Sequence, residues 1–391
     1  MNAARLRFLT ELLSQPTAPF REEHVLALVE RALHQTRVPA FLDPAGNLVV
    51  GVESRAAYRK LLRTRSREPV RLLVAHMDHP GFHGTRWLSP RRLAVKWHGG
   101  SPVKHLAGSR VWLADATGYL GEGSLLRPRL LPSGHALDAA EVRLQRPLPE
   151  PVAASVLYGG FGFRAPVWHR GKRIYTKAAD DLIGVFAIVA VAEELFARAP
   201  RARPPFLGLL TRGEEVGFVG TIAHLDLGWL EDRHRPVVAV SLETSRALPN
   251  ALVGRGPVVR LGDRRTVFDP NALRVLSDVA ERVLPGRHQR RVMDGGTCEA
   301  TAAVSWGLPA IGISVPLGNY HNEHFSGASG SARDGSRIEG GPAPEYVHRG
   351  DIDGLLKLCR GLLEPGLQWS DPWLGQRRQL RRRMQRYRSL L

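Results

Sequence analysis

Four short apolar runs in this chain each stop at an acid or a histidine, and that repeated design limits the fold more than any other feature. The run VRLLVA leads into His76, Asp78 and His79, and FLGLL leads into Glu214 and Glu215. VVAVSL ends at Glu243, and AIGISV is followed by His321 and His324. Runs of this length and composition read as buried strands. Polar residues past the carboxyl ends of such strands sit where open α/β sheets bind ligands. A fifth stretch, Leu182 to Leu195, is apolar throughout and follows the pair Asp180-Asp181. Aspartate at a helix start has an ordinary explanation, because it accepts orphan backbone N–H groups and meets the positive end of the helix dipole.

The flanking chain fits an α/β layer sandwich. Residues Ala4 to about Gln35 place apolar positions at helical period, and Pro16 to Pro19 divide them into two helices. FLDPAGNLVVGV then presents strand-like segments around a turn at Asp43-Pro44-Ala45-Gly46-Asn47. Helices followed by strands suit a layered α/β domain. From His83 to about Tyr175 the texture changes: runs such as RLAVKW, SRVWLAD and EVRLQRPL alternate with Gly, Pro and Ser, and helical periodicity is absent. A small inserted β-rich domain is expected there. Its histidines lack tight ligand spacing and its glycines lack a phosphate-loop pattern. The expected organisation is a catalytic domain in two parts, 1–82 and 176–365, an insert at 83–175 and a basic C-terminal tail at 366–391.

Composition narrows the setting. A hydrophobic fraction of 43% over 391 residues is that of a globular chain. The first residues carry no signal-type apolar run, and no uninterrupted stretch reaches membrane length. Two cysteines imply no disulfide framework, so the reducing cytoplasm is the expected compartment. The net charge of +18 is partly local. GQRRQLRRRMQRYRSLL crowds arginines around Leu380, Met384, Tyr387 and Leu391 at helical spacing. The expectation is a terminal helix that docks its stripe on the body and leaves the arginines in water, with membrane or nucleic-acid contact as the alternative.

Strand-end acids and histidines from different strands can meet above one sheet edge. Four or five carboxylates packed there repel one another and take up protons unless cations neutralise them. Two divalent metals answer that problem, with one carboxylate bridging both. Mixed imidazole and carboxylate donors suit zinc, with cobalt or manganese as substitutes.

The succession AHMD, KAADDLIG, TRGEEVGFVG, SLETS and SVPLGNYHN resembles the di-metal aminopeptidases related to glutamyl aminopeptidase and the tetrahedral aminopeptidases. The likeness runs over most of Ala4 to Leu363 and includes that family's β-rich insertion. It implies a mixed-sheet, three-layer α/β/α catalytic domain carrying a small β-rich domain. His76 would bind the first metal with Asp78 behind it, and Glu243 would be that metal's carboxylate. Asp180 would bridge both metals, its bond to Asp181 being cis. Glu215 and His321 would bind the second metal, His321 aligning through VPLGNYH better than His324. Glu214 would be the general base. The implied activity is amide hydrolysis by a two-metal activated water, specifically an aminopeptidase acting on peptides, and relatives often form homo-oligomers. The alternatives are a deacylase or amidohydrolase of a nonpeptide small molecule, and a relict-site protein that contacts nucleic acid or membrane through its tail. Three departures stand out: His79 where the closest relatives usually carry Glu, Cys298-Glu299 where they carry an aspartate after Gly-Thr, and a Gly/Ser-rich insertion from Ser326 to Pro344, read as a mobile loop. Cys298 paired with His321 as a nucleophile is disfavoured for want of an orienting partner.

Overall fold

The computed structural model describes residues 1–325 and 339–391. Most of the Ser326–Pro344 insertion therefore lies outside the described residues. The Pro16–Pro19 break separates helices Ala3–Ser14 and Glu23–Gln35, and the Asp43–Asn47 turn joins antiparallel strands Ala40–Leu42 and Leu48–Val50. The apolar runs become strands Val70–His76, Phe206–Thr211, Val237–Arg246 and Ala310–Leu317. These four are mutually parallel neighbours at the centre of an eight-stranded mixed sheet, in the spatial order Phe206–Thr211, Val70–His76, Val237–Arg246, Ala310–Leu317. Their carboxyl ends open on one edge.

Alternate side chains of each strand enter opposite cores, as the two-residue strand period requires. On the strand Val70–His76, Leu73 and Ala75 face one hydrophobic cluster while Val70, Leu72 and Val74 face the other. The first cluster holds helices Ala3–Ser14, Glu23–Gln35, Leu182–Phe196, Pro270–Val283 and Arg349–Leu362; the second holds Arg55–Arg63, Val219–Leu225 and Glu299–Ser305. The result is a three-layer α/β/α domain. Helix Leu182–Phe196 runs through the first core and is buried along nearly its whole length, which explains a sequence without a polar face.

Between Gly81 and Phe161 six antiparallel strands close into a barrel around Phe82, Val95, Trp97, Leu113, Val142 and Phe161. Closure removes exposed sheet edges. Strands Val167–Arg170, Arg173–Thr176 and Glu345–His348 form a third small sheet. The chain enters the barrel directly after His79-Pro80 and returns just before Asp180, so both barrel connections flank the open edge of the main sheet.

Two expectations are corrected. The strand Val237–Arg246 runs on through Glu243, whose backbone pairs in parallel register with Ser314, so this acid projects from a pleat and not from a loop past the strand. The C-terminal helix, Leu374–Tyr387, contains no buried residue, so its apolar stripe does not dock on the body.

Candidate metal centre

Because four parallel strands end together, residues far apart in sequence converge. His76 Nε2 lies 3.6 Å from Asp180 Oδ1 and 3.8 Å from Glu214 Oε2. His321 Nε2 lies 3.0 Å from Glu215 Oε2 and 3.8 Å from Asp180 Oδ2. Three groups of donor atoms fall within 4.8 Å of one another: His76 with Asp180 and Glu243, Asp180 with Glu215 and His321, and His76 with Glu214 and Glu215. The first two share Asp180. His324 belongs to none of these groups among the described residues.

The aspartate pair divides its work. Asp181 caps helix Leu182–Phe196, accepting from Gly184 N at 3.2 Å and from Thr244 Oγ1 at 2.9 Å. A Cβ on Gly184 would stand 2.1 Å from Asp181 Oδ2, so any side chain there would have to displace this cap. The peptide bond between the two aspartates is cis, and Asp180 faces the cluster. The helix-cap explanation therefore holds for Asp181 alone.

The turn bearing Glu214 and Glu215 is held from several sides. Asp78 accepts Glu214 N at 3.0 Å and Glu215 N at 3.2 Å, and its carbonyl lies 3.1 Å from His76 Nδ1. Glu22 accepts Gly213 N at 3.0 Å and Arg212 Nε at 2.8 Å. Asn47, from the Asp43–Asn47 turn, accepts Arg212 N at 3.1 Å and donates to Gly220 O at 3.0 Å. Glu299 accepts from Thr211 Oγ1 and, at 2.7 Å, from Thr221 Oγ1, so one carboxylate ties both ends of the turn.

The other side is held by Glu345, which is fully buried. It accepts Ala179 N at 2.6 Å, Asp180 N at 3.3 Å and His321 N at 3.0 Å. His79 Nδ1 lies 2.8 Å from Asp180 O, and burial pushes its pKa down to about 4, which keeps the ring neutral. Gly100, from the barrel side, packs so close that a Cβ there would lie 2.0 Å from His321 Nδ1. Glu22, Asn47 and Glu345 carry no sequence signal that separates them from ordinary cap, turn and strand residues. Glu299 announced itself only as a departure from the expected motif.

The electrostatics fit cations. Burial, reinforced by the neighbouring carboxylates, pushes Glu214 and Glu215 well above the usual carboxylate range. Glu243 is raised to about 7 by burial, although Arg260, 3.7 Å away, opposes the shift. His76 is held well above its ordinary value, Glu214, Asp180 and Asp78 outweighing its burial. Asp180 Oδ1, Glu215 Oε1 and His321 Nε2 are buried without a hydrogen-bond partner. Buried polar atoms are normally satisfied. Orphaned oxygen and imidazole donors converging in this way match the donor set and charge demand of divalent metals.

Cys298 lies outside this arrangement. Burial pushes its thiol far up, and Sγ contacts Asp263 at 3.6 Å, so it is no activated nucleophile. A narrow cleft lined by Arg246, Arg260, Met293 and Tyr320 reaches Asp180 and Glu243.

Residues 158–327 match the sequence profile of the M42 glutamyl aminopeptidase family. No curated protein matches the chain in sequence. Solved structures share the fold over nearly the whole length. The TET1 peptidase of Pyrococcus horikoshii is 19% identical with a TM-score of 0.69, covering 93% of this chain and 100% of that one. An aminopeptidase from the archaeon Desulfurococcus kamchatkensis is 20% identical with a TM-score of 0.70, covering 94% and 97%. A TET aminopeptidase from a marine-sediment thaumarchaeote is 17% identical with a TM-score of 0.71, covering 93% and 98%.

Proposed function

We propose that this chain, whose residues 158–327 match the M42 glutamyl aminopeptidase family profile, is a metal-dependent aminopeptidase that removes N-terminal residues from peptides at a two-metal centre. The observation that carries this reading is the pair of donor groups sharing Asp180. His76, Asp180 and Glu243 would hold one ion, and Asp180, Glu215 and His321 the other. Zinc suits these donors, with cobalt or manganese able to replace it. When bound, the ions would supply Lewis-acid polarisation of the scissile carbonyl and ease the ionisation of water.

The protein's own steps are proton transfers and positioning. Glu214 is 9% exposed, its backbone N–H is held by Asp78, and its Oε2 lies 3.8 Å from His76 Nε2. Glu214 takes a proton from the attacking water at Oε2 and delivers it to the leaving amine nitrogen. Asp78 sets the position of this base through the turn and of His76 through its carbonyl. The substrate enters by the cleft lined by Arg246, Met293 and Tyr320, with Arg260 committed as the buried partner of Glu243. The working chain is organised as a catalytic unit, 1–82 and 176–365, with the insert 83–175 packed on His321 through Gly100. Two buried free cysteines fit a reducing cytoplasm. Structures of the TET1 peptidase are described as a dodecamer and as assembling into a tetrahedron or a large octahedral shell, which supports a homo-oligomer here.

Elemental analysis of the wild type and of Asp180→Ala tests the centre, because both ions depend on Asp180. About two ions per chain, lost in the variant, are expected. No metal after reconstitution overturns the reading. Free peptides and their N-acetylated forms then separate the activities: cleavage of only the free form is expected, and equal cleavage of both would make the protein a deacylase or amidohydrolase.

A further inference from the structure

From Arg377 to Leu391 every residue is exposed. The helix Leu374–Tyr387 leaves the body at Trp373, whose Nε1 donates to Asn271 Oδ1 at 2.8 Å and whose ring lies 5.7 Å from the Arg274 guanidinium. The last acid, Asp371, pairs with Arg377, and residues 372–391 contain neither Asp nor Glu. At 3.6 residues per turn, Leu380, Met384 and Tyr387 form one stripe of the helix Leu374–Tyr387, flanked by Arg377 and Arg383, while Arg378, Arg381, Arg382 and Arg386 occupy the rest of its surface. Leu380 is 51% exposed, Met384 45% and Tyr387 52%. A lone helix of about 14 residues is marginal in water. Its stability therefore calls for a surface that covers the stripe.

The charge pattern selects that surface. A second copy of the helix would set arginine against arginine along the flanks of the stripe. A nucleic acid would meet the arginines with phosphates but leave Leu380, Met384 and Tyr387 wet. An anionic bilayer meets both halves. The stripe settles at the boundary of headgroups and acyl chains, Tyr387 keeps its hydroxyl at the polar level, and the flanking arginines extend their heads to lipid phosphates. Among the described residues no helix is long and apolar enough to cross a membrane, so the contact is with the surface. We propose that the C-terminal helix is a surface anchor for anionic membranes, with the stripe and the arginines acting together. This surface is independent of the metal centre.

Vesicle flotation of the full chain tests it, with phosphatidylcholine containing about one-third phosphatidylglycerol compared with phosphatidylcholine alone. Binding to the anionic vesicles is expected to be about tenfold stronger or more. Leu380→Gln with Met384→Gln leaves the charge unchanged and should lower that binding about tenfold. Arg381→Gln with Arg382→Gln and Arg386→Gln should lower it to a similar extent while preserving the stripe. No vesicle binding, equal binding to neutral vesicles, or an unaffected stripe variant would overturn the proposal. Binding of single-stranded RNA with steep salt dependence, indifferent to the stripe and without vesicle binding, would also overturn it and assign the helix to nucleic acid.

Discussion

At the edge of the main sheet Asp180, Glu214, Glu215, Glu243 and Glu299 crowd together with little exposure, while along the C-terminal helix the arginines share one surface and none is buried. The two regions carry opposite charge and obey different physics. Buried charge cannot be screened, so each carboxylate is met by a hydroxyl, a backbone N–H, a histidine, an arginine or an incoming cation. Exposed charge is damped within about 8–10 Å by salt and dictates little of the surrounding fold. A substitution at the sheet edge should therefore propagate, and one in the tail should not.

The sharpest test of that contrast is Glu214→Gln. The charge is lost but the shape is kept, and kcat should fall about 100- to 10,000-fold while metal content by elemental analysis stays at the wild-type level. Loss of metal would instead make Glu214 a ligand, in line with its place in the third donor group. Stripping metal with a chelator comes next. If the ions stand about 1,000-fold above their Kd, denaturant unfolding should show about 4 kcal/mol of stability lost per site. An unchanged midpoint would mean that the carboxylates neutralise one another by protonation alone.

Glu299→Ala asks how far the edge depends on residues outside the donor groups. It removes the acceptor of Thr211 and Thr221, at an expected cost of about 1–3 kcal/mol in unfolding free energy. Because that carboxylate ties both ends of the turn bearing Glu214, kcat should drop more than KM rises. The smallest effect belongs to the tail: deleting residues 377–391 should shift stability by less than about 0.5 kcal/mol. A larger shift would show that the helix packs on the body after all.

Much of the acid–histidine cluster was legible in the sequence because its pieces are local. An apolar run with a polar stop reads the same in the chain and in the sheet, so His76, Glu214, Glu215, Glu243 and His321 stood out by position and type. The division between Asp180 and Asp181 was implied by the family resemblance but not by the local pattern. Both are acids at a helix start, and only the packing of Gly184 and Thr244 makes one of them a cap. Glu345 was hidden for a related reason: it sits in a short strand after the Gly/Ser-rich segment, and its partners lie around residues 179–180 and 321. For the tail, helical period revealed the stripe, but the period does not say whether anything covers it.

By itself the sequence determined the strands, the helices, the inserted barrel region and the residue types at each strand end, because hydrophobic period and turn chemistry act over a few residues. The tertiary structure alone decided which acids face each other, which residues brace them and which apolar stripe stays bare. Those outcomes depend on the order of strands in the sheet and on contacts between segments 100 or more residues apart, such as Asp78 with Glu214 and Ala179 with Glu345. No local pattern encodes such distances.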